Sequence, residues 1–359
     1  MVFLWDIRIV RCFEPVIEFN CIDRIVSTTK IHAIHIALTS VDICMIVTVG
    51  FWGENHAPRS LLLDSCKIYR ILEPTKFEVA KFHSVYTVGD KLGEGSFAAV
   101  YKATRRRCHE TPEGSRPTFV AVKSFKKGRF SQNPGLLPSL VEEIGILMSL
   151  EVHPCVIKIE SVFNEPRYIN LVLEYVSGGD LFDLVIKKGQ LCESDTRFIF
   201  FQLFAGIKFL HERQIAHCDL KPENVLVVDV DTLRVKITDF GLAKTVSSQN
   251  PALHDQCGTL AYVAPEVLDP GKNFSKSCDL WSLGVMLYVC LGGVLPFSEE
   301  TNLSAMKEKI LNGKYSYDDE CWRPVSDQAK DLMDRLLTVD PITRIGVGDA
   351  RVRSVSCHC

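Results

Sequence analysis

Two short stretches carry the residues whose types and spacing could do chemistry. The first, residues 217–224, reads HCDLKPEN, and the second, residues 239–241, reads DFG. Together they hold Asp219, Lys221, Asn224 and Asp239. A carboxylate can accept a proton from a hydroxyl group, a lysine can reach a transferring phosphate, and carboxylate and amide oxygens suit magnesium. The pattern therefore favours the handling of a phosphoryl group and its metal ions.

Each of these residues alone could be an ordinary loop residue, but their joint occurrence is specific. Phosphoryl transfer needs positioning and charge neutralisation more than covalent chemistry from the protein. We assign Asp219 to the proton of a substrate hydroxyl, Lys221 to the transferring phosphate, and Asn224 and Asp239 to the metal.

The elements that would position a nucleotide lie earlier in the chain. Residues 93–100 read GEGSFAAV between two strand-like segments, and glycines let backbone N–H groups approach phosphate oxygens. Lys123 ends a strand-like run, VAVK, and Glu143 follows on a segment with helical spacing. Lys123 could be a solvated strand end and Glu142 could compete with Glu143, but Glu143 shares its predicted helix face with apolar Leu147.

The composition is that of a globular protein whose net charge favours no particular class of partner. The 359 residues are 47% hydrophobic and carry a net charge of -3, which gives no reason to expect nucleic acid or an anionic membrane as a partner. The 14 cysteines are scattered, without paired CxxC motifs. We therefore expect reduced thiols in an intracellular protein.

Residues 1–84 form a distinct N-terminal block without a catalytic constellation. Its segment 31–52 is apolar enough to suggest a membrane helix, but Asp42 near the centre would cost roughly 2.5 to 3.5 kcal/mol on insertion. From Val41 to Phe51 apolar residues alternate, which predicts a half-buried strand.

From residue 85 the pattern predicts a small sheet followed by helices. Strands are expected at 85–93, 98–104, 119–125, 156–163 and 168–174, with a helix at 139–150. Long helices are expected at 193–213, capped by Ser194 and largely buried, and at 278–291. This order predicts an α+β protein with two lobes.

The residues from about Tyr86 to Arg344 resemble the eukaryotic protein kinase family. Besides the segments above, residues 257–266 (CGTLAYVAPE) and 278–285 (CDLWSLGV) match its motifs, and Lys221 marks the serine/threonine type. The resemblance implies a kinase domain at 85–350 with an antiparallel-sheet N-lobe at 85–174, a mostly helical C-lobe at 175–350, and a short tail at 351–359. It also implies ATP and Mg²⁺ as cofactors.

The resemblance implies further roles for individual residues. Asp279 would brace the catalytic loop, Thr259 would bond Asp219 and Lys221, and Arg344 would pair with Glu266. The expected nucleotide site comprises Leu92, Gly93, Gly95, Val100, Ala121, Lys123, Glu143, Glu174, Val176, Asp180, Glu223, Asn224 and Asp239.

Residues 153–159 (HPCVIKI), 236–241 (KITDFG) and 281–299 resemble the checkpoint kinase 2 subfamily of the calmodulin-dependent-kinase group. This implies a DNA-damage checkpoint role in the cell cycle and a location in the nucleus, with the cytoplasm as the alternative. It also implies protein substrates with arginine three residues before the serine or threonine, where Asp180 and Glu223 would pair with that arginine. An upstream kinase and a dimer both stay open as partners, and neither nucleic acid nor a membrane is expected as one.

The chain departs from the family pattern in several places. Ala98 replaces the third glycine of the turn, and Cys218 replaces the arginine that binds a phosphate on the activation segment. Asp255 stands where the phosphorylated threonine is expected, so we expect less dependence on activation-loop phosphorylation. Residues 1–84 lack phosphothreonine-reading features and could be a degraded forkhead-associated domain or an unrelated extension. After Arg344 we expect no closing helix.

Two other interpretations stay open. Ala98, Cys218 and the short tail would suit a nucleotide-binding pseudokinase that acts as a scaffold. The segment 31–52 would suit a membrane-anchored receptor kinase, which is less favoured because of Asp42.

Overall fold

The structure of the protein is a computed structural model that describes residues 33–39, 44–50, 81–95, 97–106, 117–246, 258–269, 275–298 and 302–356. The chain forms two compact units. The first contains the described residues up to Leu136 together with Ile159–Tyr175, and the second contains Leu137–Lys158 and the described residues from Val176 onward.

Two strands of the N-terminal block pair with each other. Strand β1 (Ala33–Thr39) and strand β2 (Cys44–Gly50) are antiparallel, with Ala33 opposite Gly50. The strand predicted from the alternating residues after Val41 is thus confirmed for Cys44–Gly50. Among the described residues, no helix has the length and apolar character that a membrane span requires.

The first unit is built on a five-stranded antiparallel sheet in the order β3-β4-β5-β7-β6. Its strands are β3 (Tyr86–Glu94), β4 (Ala98–Arg105), β5 (Phe119–Lys126), β6 (Ile159–Asn164) and β7 (Tyr168–Glu174). All five predicted strands are present. Strand β6 begins at Ile159 and not at residue 156 as predicted, since Val156 forms only an isolated bridge with Ile237.

An aromatic cluster holds the start of this sheet. The short helix α1 (Phe82–Val85) places Phe82 against Phe163, with ring centroids 5.3 Å apart, and Tyr86 lies 5.8 Å from the same ring. The Phe82 amide donates to Glu165 Oε1 at 3.1 Å. Phe82 therefore belongs to the sheet's core, although it precedes residue 85, where the sequence places the start of the domain.

The second unit is mostly helical. Helix α2 spans Leu136–Ser149, of which Leu137 onward lies in this unit. The remaining helices are α3 (Leu181–Lys188), α4 (Glu193–Glu212), α5 (Pro265–Leu268), α6 (Cys278–Gly292), α7 (Leu303–Asn312), α8 (Asp327–Leu336) and α9 (Val347–Ser356). Two antiparallel pairs join β8 (Ile215–Ala216) to β11 (Lys244–Thr245) and β9 (Val225–Asp229) to β10 (Arg234–Ile237). The α+β protein kinase fold predicted from the sequence is confirmed.

Helices α4 and α6 form the interior of the second unit. Every residue of α6 is buried, as its apolar sequence predicts. Helix α4 has the predicted bounds within one residue, but it is buried on one side only, since Phe198 is 48% exposed. Its close approach to β10 depends on Gly206, where an added Cβ would lie 2.9 Å from Ile237 Cδ1.

The predicted cap of α4 is wrong. Cys192 occupies the N-cap position without a side-chain hydrogen bond from the helix, and Ser194 lies inside the first turn with its hydroxyl 3.1 Å from Cys192 Sγ. Glu193 instead binds Ser326, whose amide and hydroxyl donate at 3.0 and 2.7 Å. Tertiary contacts to α8 thus set this helix end.

The expectation that no helix closes the chain is also wrong. Helix α9 packs against α4 and α8. It buries the small residues Ala350 and Ser354, which lie one turn apart, and the Arg351 guanidinium lies 4.6 Å from the centre of the Phe201 ring. Small and charged residues make a weak helix signal, so α9 depends on packing that the sequence pattern does not show.

The two glycines inside α4 and α2 give a matched test of this packing. Gly206→Ala would push a methyl group against Ile237 and against the Cys155 carbonyl at 3.3 Å. We therefore expect the free energy of unfolding to fall by about 1–3 kcal/mol. In Gly145→Ala the added Cβ would contact nothing within 4 Å, so we expect the free energy of unfolding to rise by about 0.5–1 kcal/mol. The free energy of unfolding from urea titration measures both, and equal effects would contradict the close approach of α4 to β10.

Candidate active site

The two strand pairs of the second unit place the two chemical stretches side by side. Residues 217–224 run from β8 to β9, and residues 238–243 run from β10 to β11. Because β8 pairs with β11 and β9 with β10, both segments begin and end at neighbouring strands. The Thr238 amide donates to the Asn224 carbonyl at 2.9 Å, which ties the segments directly.

Asp219 lies at the centre of a hydrogen-bonded group. Lys221 Nζ lies 3.1 Å from Asp219 Oδ2 and donates to Thr259 Oγ1 at 2.8 Å. The Thr259 amide and hydroxyl both donate to Asp219 Oδ1, at 3.1 and 3.2 Å. The Asp219 side chain is only 11% exposed, although Thr259 lies at the surface, and the bonds to its carboxylate are charge-assisted. The structure thus brings Asp219, Lys221 and Thr259 together.

Asn224 is oriented by Asp219. Its Nδ2 donates to the Asp219 carbonyl at 2.8 Å and to Asp219 Oδ2 at 3.0 Å. The amide nitrogen therefore faces Asp219, and the amide oxygen is directed away from that carboxylate. This orientation presents an oxygen, the ligand type that magnesium prefers.

Asp239 stands at a special backbone position. Its φ of 60° lies in the left-handed region, which costs free energy for a residue other than glycine. The side chain is exposed, and its Oδ1 accepts from the Gly241 amide at 3.4 Å. Phe240, the next residue, is buried and packs edge-on against His217, with ring centroids 5.0 Å apart. Burial of Phe240 thus fixes a turn that leaves the Asp239 carboxylate outside.

Buried Asp279 holds the catalytic loop in place. Its Oδ2 accepts from the His217 amide at 3.0 Å, and its Oδ1 accepts from the Cys218 amide at 2.9 Å. The latter bond holds Cys218 at a φ of 64°, a second left-handed position. Asp279 is 1% exposed and lies in the first turn of α6, so the loop is attached to a helix that is buried along its whole length.

His211 completes the surroundings of Asp279. Burial would raise the pKa of Asp279, but the hydrogen bond from His211 and the His217 amide outweigh it, so the pKa lies below its usual value. With Asp279 ionised, His211 Nε2 is the donor of the 2.8 Å bond to Oδ2. Lys276 Nζ donates to the His211 carbonyl at 2.8 Å. Burial lowers the pKa of Lys276.

Sequence reasoning missed His211 and Lys276. His211 is a polar residue near the end of the otherwise apolar face of α4. A histidine in that position is more often a satisfied core residue than a functional one, and its partner Asp279 lies far away in the sequence. Only the helix pattern of α4 hinted that His211 would be buried.

The end of the activation segment is fixed by an ion pair without solvent access. Arg344 Nη1 and Nη2 donate to Glu266 Oε1 and Oε2 at 2.6 and 2.8 Å, and both side chains are at most 1% exposed. The guanidinium also donates to the carbonyls of Thr338 and Ser277. This pair ties α5 to the loop between α8 and α9. Asp255, which belongs to the same segment, lies outside the described residues.

The glycine turn and its neighbours lie in the first unit. The Gly95 amide donates to the Ala98 carbonyl at 2.8 Å and closes the turn between β3 and β4, while Ser96 lies outside the described residues. An added Cβ at Gly93 would meet nothing within 4 Å, and Leu92 is 47% exposed. The open backbone at Gly93 fits a ligand that approaches closely.

Strand register places three predicted nucleotide contacts on one face of the sheet. Val100 lies directly opposite Lys123 in the β4–β5 pair, and Ala121 precedes Lys123 by two residues. Side chains opposite each other, and those two apart in one strand, point to the same face. Val100, Ala121 and Lys123 therefore share a face, as a nucleotide-lining wall requires.

The remaining predicted residues are distributed over both units. Glu174 ends β7, and Val176 and Asp180 follow it, all three partly buried. Asp180 caps α3 by accepting from the Asp183 amide at 2.8 Å, and burial raises its pKa. Glu223 is exposed on the 3-10 turn Pro222–Asn224, which contacts α3.

The two glutamates of α2 have different surroundings. Glu143 is 3% exposed, and Leu147 is buried one turn later, as the shared face predicts. Glu142 forms an ion pair with Lys244, with Glu142 Oε2 and Lys244 Nζ 2.8 Å apart. The pairing of Glu143 with Lys123 stays a prediction.

The residues present fit ATP and magnesium. Magnesium in phosphoryl-transfer sites is held by one or two protein oxygens together with phosphates and water. In the part of the chain that the structure describes, no group of three or more His, Cys, Asp or Glu side chains could hold a metal alone. The oxygens of Asn224 and Asp239, on tied neighbouring loops, suit an ion that a nucleotide brings with it.

Comparison with known proteins agrees with this geometry. A family model described as "Protein kinase domain" matches residues 86–354. The chain therefore belongs to the protein kinase family, whose members use ATP and Mg²⁺.

Three relatives from diverse organisms are protein kinases, and two of them are named as serine/threonine kinases. The ovarian-specific serine/threonine-protein kinase Lok of Drosophila melanogaster is 36% identical over 282 residues, which are 75% of this chain and 56% of that protein. CBL-interacting protein kinase 16 of Oryza sativa subsp. japonica is 42% identical over 264 residues, 73% of this chain and 54% of that protein.

A third relative, the probable serine/threonine-protein kinase fhkC of Dictyostelium discoideum, is 36% identical over 267 residues, 74% of this chain and 43% of that protein. The chain thus spans about half the length of the curated relatives it matches.

Proposed function

We propose that the protein is a serine/threonine kinase that transfers the γ-phosphoryl group of ATP to protein hydroxyl groups. The observation that carries this proposal is the bonded group of Asp219, Lys221 and Thr259 beside Asn224. The Thr259 hydroxyl donates to Asp219 Oδ1 and accepts a hydrogen bond from the Lys221 ammonium. The base and the cation are therefore kept at a fixed separation. Kinase chemistry needs this positioning because the reaction places little covalent work on the protein.

In the proposed mechanism Asp219 acts on the substrate. Its carboxylate accepts the hydroxyl proton of serine or threonine and orients the oxygen for attack. The Lys221 ammonium offsets the negative charge that develops on the transferring group. Bound magnesium would neutralise phosphate charge, held by Asn224 and Asp239. Asp279 acts only through the backbone of the loop that carries Asp219.

Phosphotransfer from ATP to a serine peptide with arginine at position -3 tests this proposal. Asp219→Asn removes the proton acceptor, so we expect kcat to fall on the order of 10²- to 10⁴-fold. Asp239→Asn weakens the metal site and should abolish most activity. Asp231→Asn, an exposed residue of the turn between β9 and β10, is the control and should leave activity unchanged.

The outcomes separate the kinase from the alternatives. Equal incorporation by the unmodified protein and Asp239→Asn would mean that a contaminant supplies the activity. If nucleotide binds but neither protein incorporates phosphate, the scaffolding pseudokinase is correct. A membrane-anchored receptor kinase would need detergent for extraction, so recovery in a detergent-free supernatant would refute that reading.

We infer that the peptide substrates carry arginine three residues before the target hydroxyl. Glu223 supports this inference, since it is exposed directly after Lys221 and Pro222 on the catalytic loop. Asp180 is the weaker partner, because one carboxylate oxygen already caps α3. A carboxylate that binds a guanidinium by charge-assisted hydrogen bonds contributes about 1.5–3 kcal/mol.

Glu223→Gln should therefore reduce the preference for arginine over alanine at position -3. We expect the ratio of kcat/KM for the two peptides to fall about 10- to 100-fold, which corresponds to that energy. The kcat/KM for the alanine peptide should hardly change, because that peptide lacks the arginine that Glu223 would bind. Asp183→Asn on α3 serves as the matched control. An unchanged ratio in Glu223→Gln would exclude Glu223 as the arginine-binding residue.

We further propose that activity depends little on phosphorylation of the activation segment. Cys218 replaces the arginine that would bind the phosphate, and Asp255 supplies a permanent negative charge in the sequence. Phosphatase treatment should change the peptide activity less than twofold, and a large loss would contradict the proposal. Activation by an upstream kinase and dimerisation stay predictions.

We also propose, more specifically, that the kinase has a DNA-damage checkpoint role in the nucleus. It is supported by the motif resemblance to the checkpoint kinase 2 subfamily over 153–159, 236–241 and 281–299. If it holds, the kinase activity recovered from nuclei should rise after DNA breaks are induced. Activity confined to the cytoplasm and unchanged by breaks would refute it.

A further inference from the structure

A small cavity beside Asp219 has two cysteines in its lining. Cys218 on the catalytic loop and Cys278 at the start of α6 face the same space, together with Asp219, Thr259 and Ser282. The cavity measures about 10 Å³, close to the room that one water molecule needs. Neither cysteine forms a disulfide in the structure.

The backbones around both cysteines are anchored to each other. The Cys218 amide is 2.9 Å from Asp279 Oδ1, and Asp279 directly follows Cys278. The Cys278 amide donates to the Ser275 carbonyl at 3.1 Å, and its carbonyl accepts from Ser282 Oγ at 3.2 Å. The Cys218 backbone is thus bonded to the residue that follows Cys278, which places the two cysteines near each other in the fold.

The two thiols differ in access to solvent. Cys218 is partly exposed, whereas Cys278 is 4% exposed. Gly258 and Thr259, which also line the cavity, are exposed. A reagent not much larger than water would meet Cys218 first and Cys278 behind it.

We propose that Cys218 and Cys278 form an oxidisable thiol pair, a modification site for peroxides that lowers the kinase activity. In the first step the Cys218 sulfur attacks the peroxide, the O–O bond breaks, and a sulfenic acid forms. The hydroxide that leaves takes up the thiol proton and becomes water.

In the second step the Cys278 sulfur attacks the Cys218 sulfur. The S–S bond forms while the S–O bond breaks, and the departing hydroxide takes the Cys278 proton to give a second water. One hydrogen peroxide is thus reduced to two waters as two thiols lose two electrons. A dithiol reductant reverses the change.

The effect on activity rests on the proposed function. A disulfide would draw the Cys218 side chain towards α6 and fill the cavity that Asp219 and Thr259 line. Small displacements of catalytic groups reduce rates on the order of 10²-fold. We therefore expect at least a tenfold loss of phosphotransfer that reductant restores.

Peptide mapping of the protein tests the pair without reference to activity. Reduced protein is treated with hydrogen peroxide, remaining thiols are alkylated, and the digest is analysed by mass spectrometry. We expect a peptide that links Cys218 to Cys278. Cys290→Ala, which changes another buried cysteine of α6, is the matched control and should keep the link.

Variants then isolate the two thiols. Cys278→Ala should leave a sulfenic acid at Cys218 that dimedone traps. The urea unfolding midpoint of this variant verifies that the variant is folded.

The proposal is overturned if exposed Cys192 is oxidised while no 218–278 link appears, or if Cys218 links to Cys257 instead. A link that leaves phosphotransfer unchanged would overturn the regulatory part. Reduced protein without activity would refute the kinase assignment and not the thiol pair.

Discussion

One buried carboxylate holds the chemical centre of this protein in place. Asp279 accepts hydrogen bonds from the amides of His217 and Cys218 and from the His211 ring, so the loop that carries Asp219 is attached to a helix without solvent access. A buried charge is stable only when it is fully hydrogen-bonded. The lowered pKa of Asp279 means that it stays ionised at neutral pH, and its stabilising contribution is lost only as acid protonates it.

The same constraint explains why strained backbone is kept at the centre. Cys218 and Asp239 both have positive φ, a conformation that costs free energy for residues with a side chain. Each stands beside a buried anchor, Asp279 for the first and Phe240 for the second. Buried groups thus fix the backbone at Asp239, which is assigned to the metal, and directly before Asp219, which is assigned to the substrate. The ion pair of Glu266 and Arg344 fixes the adjoining segment in the same way.

The sequence predicted those features that depend on residues close together in the chain. Spacing in 217–224 and 239–241 indicated Asp219, Asn224 and Asp239, and apolar periodicity predicted the five strands and the buried helix α6. The closing helix α9 and the N-cap of α4 were missed, since both depend on contacts with distant elements. His211 was missed for the same reason, because its role depends on a partner that only the fold brings near. Cys218 was noticed as a substitution, but its neighbour Cys278 emerged only from the cavity that both line.

Replacement of the anchor tests the central claim most directly. Asp279→Asn keeps the shape and one acceptor oxygen but removes the charge that binds His211 and the two loop amides. With the variant shown to be folded by its urea transition, we expect kcat for peptide phosphorylation to fall at least 10²-fold, because the loop that orients Asp219 loses its anchor. ATP affinity should change less than kcat, since the predicted nucleotide contacts in the first unit, Lys123 and the glycine turn among them, lie outside this loop. A folded Asp279→Asn protein with the kcat of the unmodified chain would contradict the account.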